Sequence, residues 1–362
     1  MKKNILFPYH PDLMTLLEYR SEMIDHEISG FISYSEDFSL VMPLNECLSQ
    51  RKQAHSQDTM IDSCDAVILL DNYREYNSAK YYKIIDEAIL KNKEVIITPL
   101  TEKQLDLRDY QGAYRLLEKQ PIAAEKPPYK YSSEARVAIG EIGVPVIGVF
   151  GMGKNCDKFR NQLLLKRMLE REYKTTTVSS NSLGALFGCY TIPSFLYSDI
   201  SFMQKIAMFN SFILDICKND DPDVIILGIP EGIVPFESYE FNHFAEYPLV
   251  ISNAVSIDFA ILCVYHMEGQ LLSEGFENME NYCKAKFGVH IDAFSISQTN
   301  VEDARDDENV IIYEYLTETY VRDHRPKFNN LKFPIYNSFD RKGAEEMLEK
   351  CLRRLEYNAD KI

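Results

Sequence analysis

The chain has 362 residues, room for two ordinary domains that each bury a core. Its 46% hydrophobic and 26% charged content is that of a globular protein, and a formal net charge of -16 argues against non-specific nucleic-acid binding and against anionic membranes. No apolar run approaches the ~20 residues of a membrane span, and Pro8, His10 and Pro11 break the N-terminal stretch, so no signal peptide is expected and the cytoplasm is the expected location.

The first third alternates strand-like and helix-like runs. Strands are expected at Asn4–Tyr9, Ser29–Ser35, Asp65–Asp71 and Glu94–Leu100, the last closed by Pro99. "DAVILLD" is continuously apolar, as in a parallel strand covered on both faces. Helical spacing marks Leu13–Ile24 and Ser78–Lys93, the second with Tyr82, Ile85, Ala88 and Ile89 on one side. This is the pattern of a small doubly wound, Rossmann-like α/β domain over 1–117. The turn after its first strand, "PYHPDL", lacks the glycines that let a backbone approach a pyrophosphate, so a scaffold or docking role is expected. His10 and Asp71 stand at strand ends, as cleft-lining residues or as solvent-facing loop residues.

Three prolines with charges and serines between 118 and 136 mark a linker, placed at 118–140. The pattern restarts over 141–362. Strands are expected at Val144–Phe150, Lys174–Ser180, within Pro222–Phe236, at Ile257–Tyr265 and within Lys286–Ser297; Asn309–Leu316 reads as strand or helix. Helices are expected from Lys158 to Tyr173, from Ser201 to Asn219 and from Arg341 to Asn358. The whole reads as two doubly wound α/β domains, Rossmann-like and then P-loop-NTPase-like, with mostly parallel sheet.

The chemistry concentrates in "GVFGMGKNCDKF", Gly148–Phe159, a glycine-rich turn between a strand and a helix. Phosphate binding needs converging main-chain N–H groups, close backbone approach and a cation. Gly148, Gly151 and Gly153 suit the first two needs; Lys158 opens the helix and Lys154 adds a second cation, with Asn155 and Cys156 between them. The spacing from Gly151 to Lys158 resembles the variant loop G-x-D-x-x-x-G-K-T of the dethiobiotin-synthetase and nitrogenase-iron-protein-like class, which implies ATP or GTP as ligand. Two departures matter. Phe159 replaces the hydroxyl residue that ligates Mg²⁺, and Asp157 replaces the glycine before the lysine. A carboxylate about 4 Å from a phosphate costs on the order of 4 kcal/mol at an effective dielectric near 20, unless the lysines offset it. Asp157 is expected instead to cap its own helix. The loop is thus an anion site with impaired Mg-nucleotide chemistry or a structural turn. Cys156, beside two lysines at a helix start, is either a lowered-pKa thiol or an idle one.

"LGIPEG" ends a central strand, where open α/β sheets place ligands, and puts Glu231 and Gly232 beside the loop or in an ordinary tight turn. Ser179, Ser180 and Asn181 end the neighbouring strand and Asn253 and Asp258 flank the next, while Asp223 starts a strand and so lies at the wrong end. No CxxC, CxxxCxxC or HExxH spacing supports a metal site.

The runs "GVFGMGKNCDKFRNQLLL", "DPDVIILGIPEGIVPF", "ISNAVSIDFAIL" and "KFGVHIDAFSIS" together resemble the clostridial peptide maturation system protein family. That resemblance implies a place in maturing a ribosomally synthesised, Cys-rich, bacteriocin-like precursor peptide, beside a radical SAM maturase and an acyl-carrier-related protein. It also implies that Asp157 and Phe159 belong to the pattern, and it carries over no catalytic residue. Three readings follow: an accessory protein whose loop binds a nucleotide or other anion, an ATP-dependent ligase- or kinase-like enzyme acting on the precursor, and a non-catalytic scaffold for leader peptide or maturase.

Overall fold

The computed structural model describes residues 1–8, 12–32, 42–43, 57–71, 77–122, 139–234, 245–266, 273–303, 311–324 and 333–359. His10 and most of the expected linker lie outside them. The chain divides into two compact units, Met1–Lys119 with Ser182–Ser194, and Gln120–Asn181 with Phe195–Ile362. Both are α/β, as the alternation of apolar runs predicts.

The first unit is built on β1 (Lys2–Phe7), β2 (His26–Phe31), β3 (Met42–Pro43), β4 (Ala66–Leu69), β5 (Glu94–Ile97) and β6 (Arg115–Leu116). They form a six-stranded sheet in the order β3-β2-β1-β4-β5-β6, parallel except for the β2–β3 pair. The chain winds one way from β1 and then the other, which makes the sheet doubly wound. β4 and the second half of β1 are buried on both faces, which explains the apolar runs Ala66–Leu69 and Ile5–Phe7. The helix Ser78–Leu90 turns Tyr81, Ile84, Ile85 and Ala88 inward. This corrects the expected stripe: Ile89 is exposed and Tyr82 only packs at the core's margin. Pro99 does more than close β5; it opens the helix Pro99–Gln104, where its missing N–H costs nothing, and Thr98 caps that helix. Asp71 is buried and accepts a hydrogen bond from Thr98 Oγ1 at 3.2 Å, so it is no solvent-facing loop residue.

The second unit carries β7 (Val146–Gly151) and β8 (Thr175–Ser179), and the chain then passes through Ser182–Ser194, which counts with the first unit and contains β9 (Tyr190–Thr191). Backbone bonds explain that assignment: Ile24 N–H donates to Leu186 O at 2.8 Å and Thr191 N–H to Lys119 O at 3.0 Å. The expected bounds 1–117, 118–140 and 141–362 do not contain this excursion. The second unit continues with β10 (Val224–Gly228), β11 (Phe259–Val264), β12 (Ala293–Ile296), an antiparallel pair of β13 (Thr299–Asp303) and β14 (Ile311–Tyr315), and β15 (Ile335–Tyr336). Asn309–Leu316, read as strand or helix, contains the strand Ile311–Tyr315. Within the unit the parallel strands run β15-β12-β11-β7-β10-β8.

β7 is the centre of this sheet, paired in parallel with β10 on one side and β11 on the other. The chain leaves β7 for β8, returns to insert β10 between them, then crosses to β11. The residues after β7 therefore sit at the point where the winding reverses, the crevice in which such sheets bind ligands. At the N-terminal edge of this sheet, carboxylates tie neighbouring strands together. Asp223 accepts from Lys174 N–H at 2.7 Å and Asp258 from Val146 N–H at 2.9 Å, far from the β7 loop. Among the described residues, no helix is long and apolar enough to cross a membrane.

Candidate anion site at the end of the central strand

Gly151 ends β7 under a crowded turn. A Cβ on it would lie 2.4 Å from Cys156 Sγ, 2.7 Å from Lys158 Cδ and 3.1 Å from Gly153 O, so only glycine lets the loop fold back this tightly. Gly148 is a different case. It lies mid-strand, where a Cβ would meet Phe150 and Ile257 side chains, and it serves sheet packing upstream of the loop. The strands on either side fix the start of the turn. Met152 N–H donates to Cys263 O at 2.8 Å, Ile233 N–H to Gly151 O at 3.0 Å and Val234 N–H to Met152 O at 3.2 Å.

Asn155, Asp157 and Glu231 all hold positive φ, at 54°, 60° and 56°. A non-glycine residue held there costs on the order of 1–3 kcal/mol and persists only where its surroundings over-determine it. For Asn155 and Asp157 those surroundings come from the β11–β12 flank. Thr299 Oγ1 donates to Asn155 O at 2.6 Å, Tyr265 OH donates to Lys154 O, and Gln298 N–H donates to Asp157 Oδ2 at 2.7 Å. The last contact corrects the expected helix cap. Asp157 makes no side-chain cap bond to the helix Lys158–Leu169. Its carboxylate accepts from a chain segment 141 residues away.

Lys158 turns to the opposite, β10 flank. Its ammonium donates to Gly153 O at 3.0 Å and to Glu231 O. Lys154 Nζ forms an ion pair with Glu231 Oε2 at 3.3 Å, with side chains 28% and 14% exposed. Two cations and the folded-back loop thus meet at one residue of the "LGIPEG" turn; Gly232 follows it and leads into the backbone bond from Ile233. The Glu231 charge is also felt at Tyr247, whose phenol is held well above its ordinary pKa, first by burial and then by Glu231 and Glu246.

The first turn of the loop's helix carries three polar residues that sequence reasoning passed over. Arg160, Asn161 and Gln162 are all buried. Arg160 bonds Gln298 Oε1 and, at 2.9 Å, Glu318 Oε1. Asn161 donates to Asp157 O at 2.9 Å and accepts from Tyr336 OH at 2.6 Å. Gln162 donates to Ser180 Oγ at 2.8 Å and accepts from Ser180 N–H at 3.2 Å, and its amide fills the space a Cβ on Gly228 would need. The run "RNQ" at the head of the helix, just before three leucines, was the available signal. Ser180 is therefore placed beside the site through Gln162, whereas Asn181 is tied by its N–H to Ser179 Oγ. Asn253 lies in the helix Glu246–Ala254, donating to Leu249 O, and does not flank a strand as expected.

Phe159 is buried, so the position that would offer a hydroxyl to Mg²⁺ packs into the core instead. Cys156 is also buried, with Sγ 3.2 Å from Gly153 O. Burial pushes its thiol above the ordinary value, and the opposing pull of Lys158 is smaller. This overturns the reading of a lowered-pKa, reactive thiol. We expect Cys156 to resist iodoacetamide in the folded protein at pH 8 for hours and to react within minutes in denaturant, as read by peptide mass spectrometry. Rapid native labelling would contradict the packing described. Among the described residues no group of three or more His, Cys, Asp or Glu is arranged to hold a metal ion.

No family model matches the chain, and no curated protein does. Among solved structures it is similar to the crystal structure of a DUF1611 family protein from Anabaena variabilis, at 10% identity and a TM-score of 0.56, with 98% of this chain and 100% of that one covered. At that identity the likeness is one of fold, and it spans both units of the chain.

Proposed function

We propose that the turn Gly151–Lys158 binds the phosphoryl groups of a nucleotide, ATP or GTP, or of another anionic ligand, and that the protein is a ligand-binding accessory in peptide maturation. The observation that carries the binding reading is Lys158. Its ammonium is aimed across the turn at Gly153 O and Glu231 O, at the winding reversal of the sheet, and not out into solvent. Carbonyl oxygens are weak partners for an ammonium that a phosphate would bind with a full opposite charge. Gln298 N–H, on the other flank, holds the Asp157 carboxylate in place without cancelling its charge, so Lys154 and Lys158 are the groups that offset its like-charge cost.

The maturation role rests on the sequence resemblance. Its partners would be the precursor peptide, the radical SAM maturase and the acyl-carrier-related protein. The buried Phe159 supplies no magnesium-binding hydroxyl, which favours a binding role over an ATP-dependent ligase or kinase. Calorimetric titration of ATP and GTP into the full chain, with Mg²⁺ and with EDTA, tests the reading. Saturable heats that survive EDTA support it, and negligible heats for both nucleotides in both buffers remove nucleotide from the account.

A further inference from the structure

Glu231 is an unusual neighbour for an anion site. It brings a carboxylate to the place where two lysines converge, and it does so at φ 56°, a conformation that costs any residue but glycine. Its carbonyl takes Lys158 and its carboxylate takes Lys154. The carboxylate contact is a loose one. Oε2 is buried and 3.3 Å from Lys154 Nζ, yet it accepts no hydrogen bond from any described residue. A buried carboxylate oxygen without a hydrogen bond is poorly compensated for its lost water.

We propose that Glu231 is a built-in competitor for the ligand, occupying both lysines until a polyphosphate replaces it. This inference rests on the loop being an anion site. A ligand that reaches Lys154 has to take over its charge from the Glu231 carboxylate, and one that reaches Lys158 has to take over from the Glu231 carbonyl. The two lysines are spanned by one glutamate, from its carbonyl to its carboxylate. Two adjacent phosphoryl groups can bridge a gap of that size and displace both contacts together. A single phosphate engages one lysine and leaves the other paired with Glu231. The competitor therefore weakens binding overall and selects diphosphate and triphosphate groups over a lone phosphate.

The position allows a clean separation of charge from backbone. Glu231→Gln keeps the size and removes the charge. Glu231→Gly removes the side chain and favours the positive φ, so the carbonyl contact to Lys158 is kept and the fold is not threatened. Calorimetry with inorganic pyrophosphate and with inorganic phosphate on the wild-type chain and both variants reads the effect. Removing a partly exposed ion pair that competes with the ligand should tighten pyrophosphate binding about two- to fivefold in both variants. The preference for pyrophosphate over phosphate should narrow in the same two proteins. Binding in the variants that equals or falls below wild type overturns the role of Glu231 and leaves the anion site standing. Silent titrations in all three proteins overturn the anion site and this inference together.

Discussion

Lys158→Ala is expected to weaken nucleotide binding about 30- to 150-fold, the loss of a charge-assisted contact worth roughly 2–3 kcal/mol. The folded state should be nearly unaffected, because the ammonium's partners are two carbonyls, Gly153 O and Glu231 O, at a half-buried position that water can reach once the side chain is shortened. Lys154→Ala should cost less. Lys154 is 28% exposed and already neutralised by Glu231, so its net charge contribution to a ligand is partly cancelled. Isothermal titration with ATP, beside a thermal melt of each variant, checks both statements. An unchanged affinity in Lys158→Ala would show that the turn is structural, whatever else binds the ligand.

Gly151→Ala should damage both stability and binding. The new Cβ meets Cys156 Sγ at 2.4 Å, Lys158 Cδ at 2.7 Å and Gly153 O at 3.1 Å. Lys158 can swing aside, but then it leaves the turn. The Cys156 sulfur is enclosed by the core and the Gly153 carbonyl is backbone, so neither yields easily. Overpacking of this kind costs about 1–3 kcal/mol. For a unit of this size that is a fall in Tm of about 2–4 °C per kcal/mol. The double variant Gly151→Ala with Cys156→Ala removes the closest contact and should recover part of the lost Tm. Binding should stay weak in it, because the Lys158 clash remains. Differential scanning calorimetry and a nucleotide titration separate the two effects. A Gly151→Ala protein with wild-type Tm and affinity would refute the packing described.

The parallel architecture was legible in the sequence for a simple physical reason. β4, β7 and β11 are buried on both faces, and burial on both faces writes an unbroken apolar run that needs no partner to be recognised. The turn after β7 was legible as well. The glycine at 151 and the lysine at 158 answer to local constraints, a missing Cβ and a helix start, and both act within eight residues. Contacts across long sequence separations left no such mark. Asp157 looked like a helix cap, a local device, but its carboxylate found Gln298 N–H 141 residues on. Cys156 looked activated by two nearby cations, but its burial outweighs the pull of Lys158. The excursion of Ser182–Ser194 into the first unit depends on backbone pairing with Ile24 and Lys119, which no spacing within the segment announces. Glu231 was placed near the site by its strand-end position, yet its carbonyl, the atom that holds Lys158, has no side-chain signature. The buried Arg160, Asn161 and Gln162 were visible as a polar run at a helix head. Only tertiary structure shows that they brace Asp157, Ser180 and Gln298 around the turn.

The proposed function requires a negatively charged group to be received where Lys158 crosses the turn. Diffraction from crystals of the full chain grown with ATP reads this directly. The expected result is phosphoryl density within hydrogen-bond distance of Lys158 Nζ, with the Glu231 carboxylate moved off Lys154. Clear nucleotide density elsewhere on the chain, with Lys158 still bound to Gly153 O and Glu231 O, would contradict it.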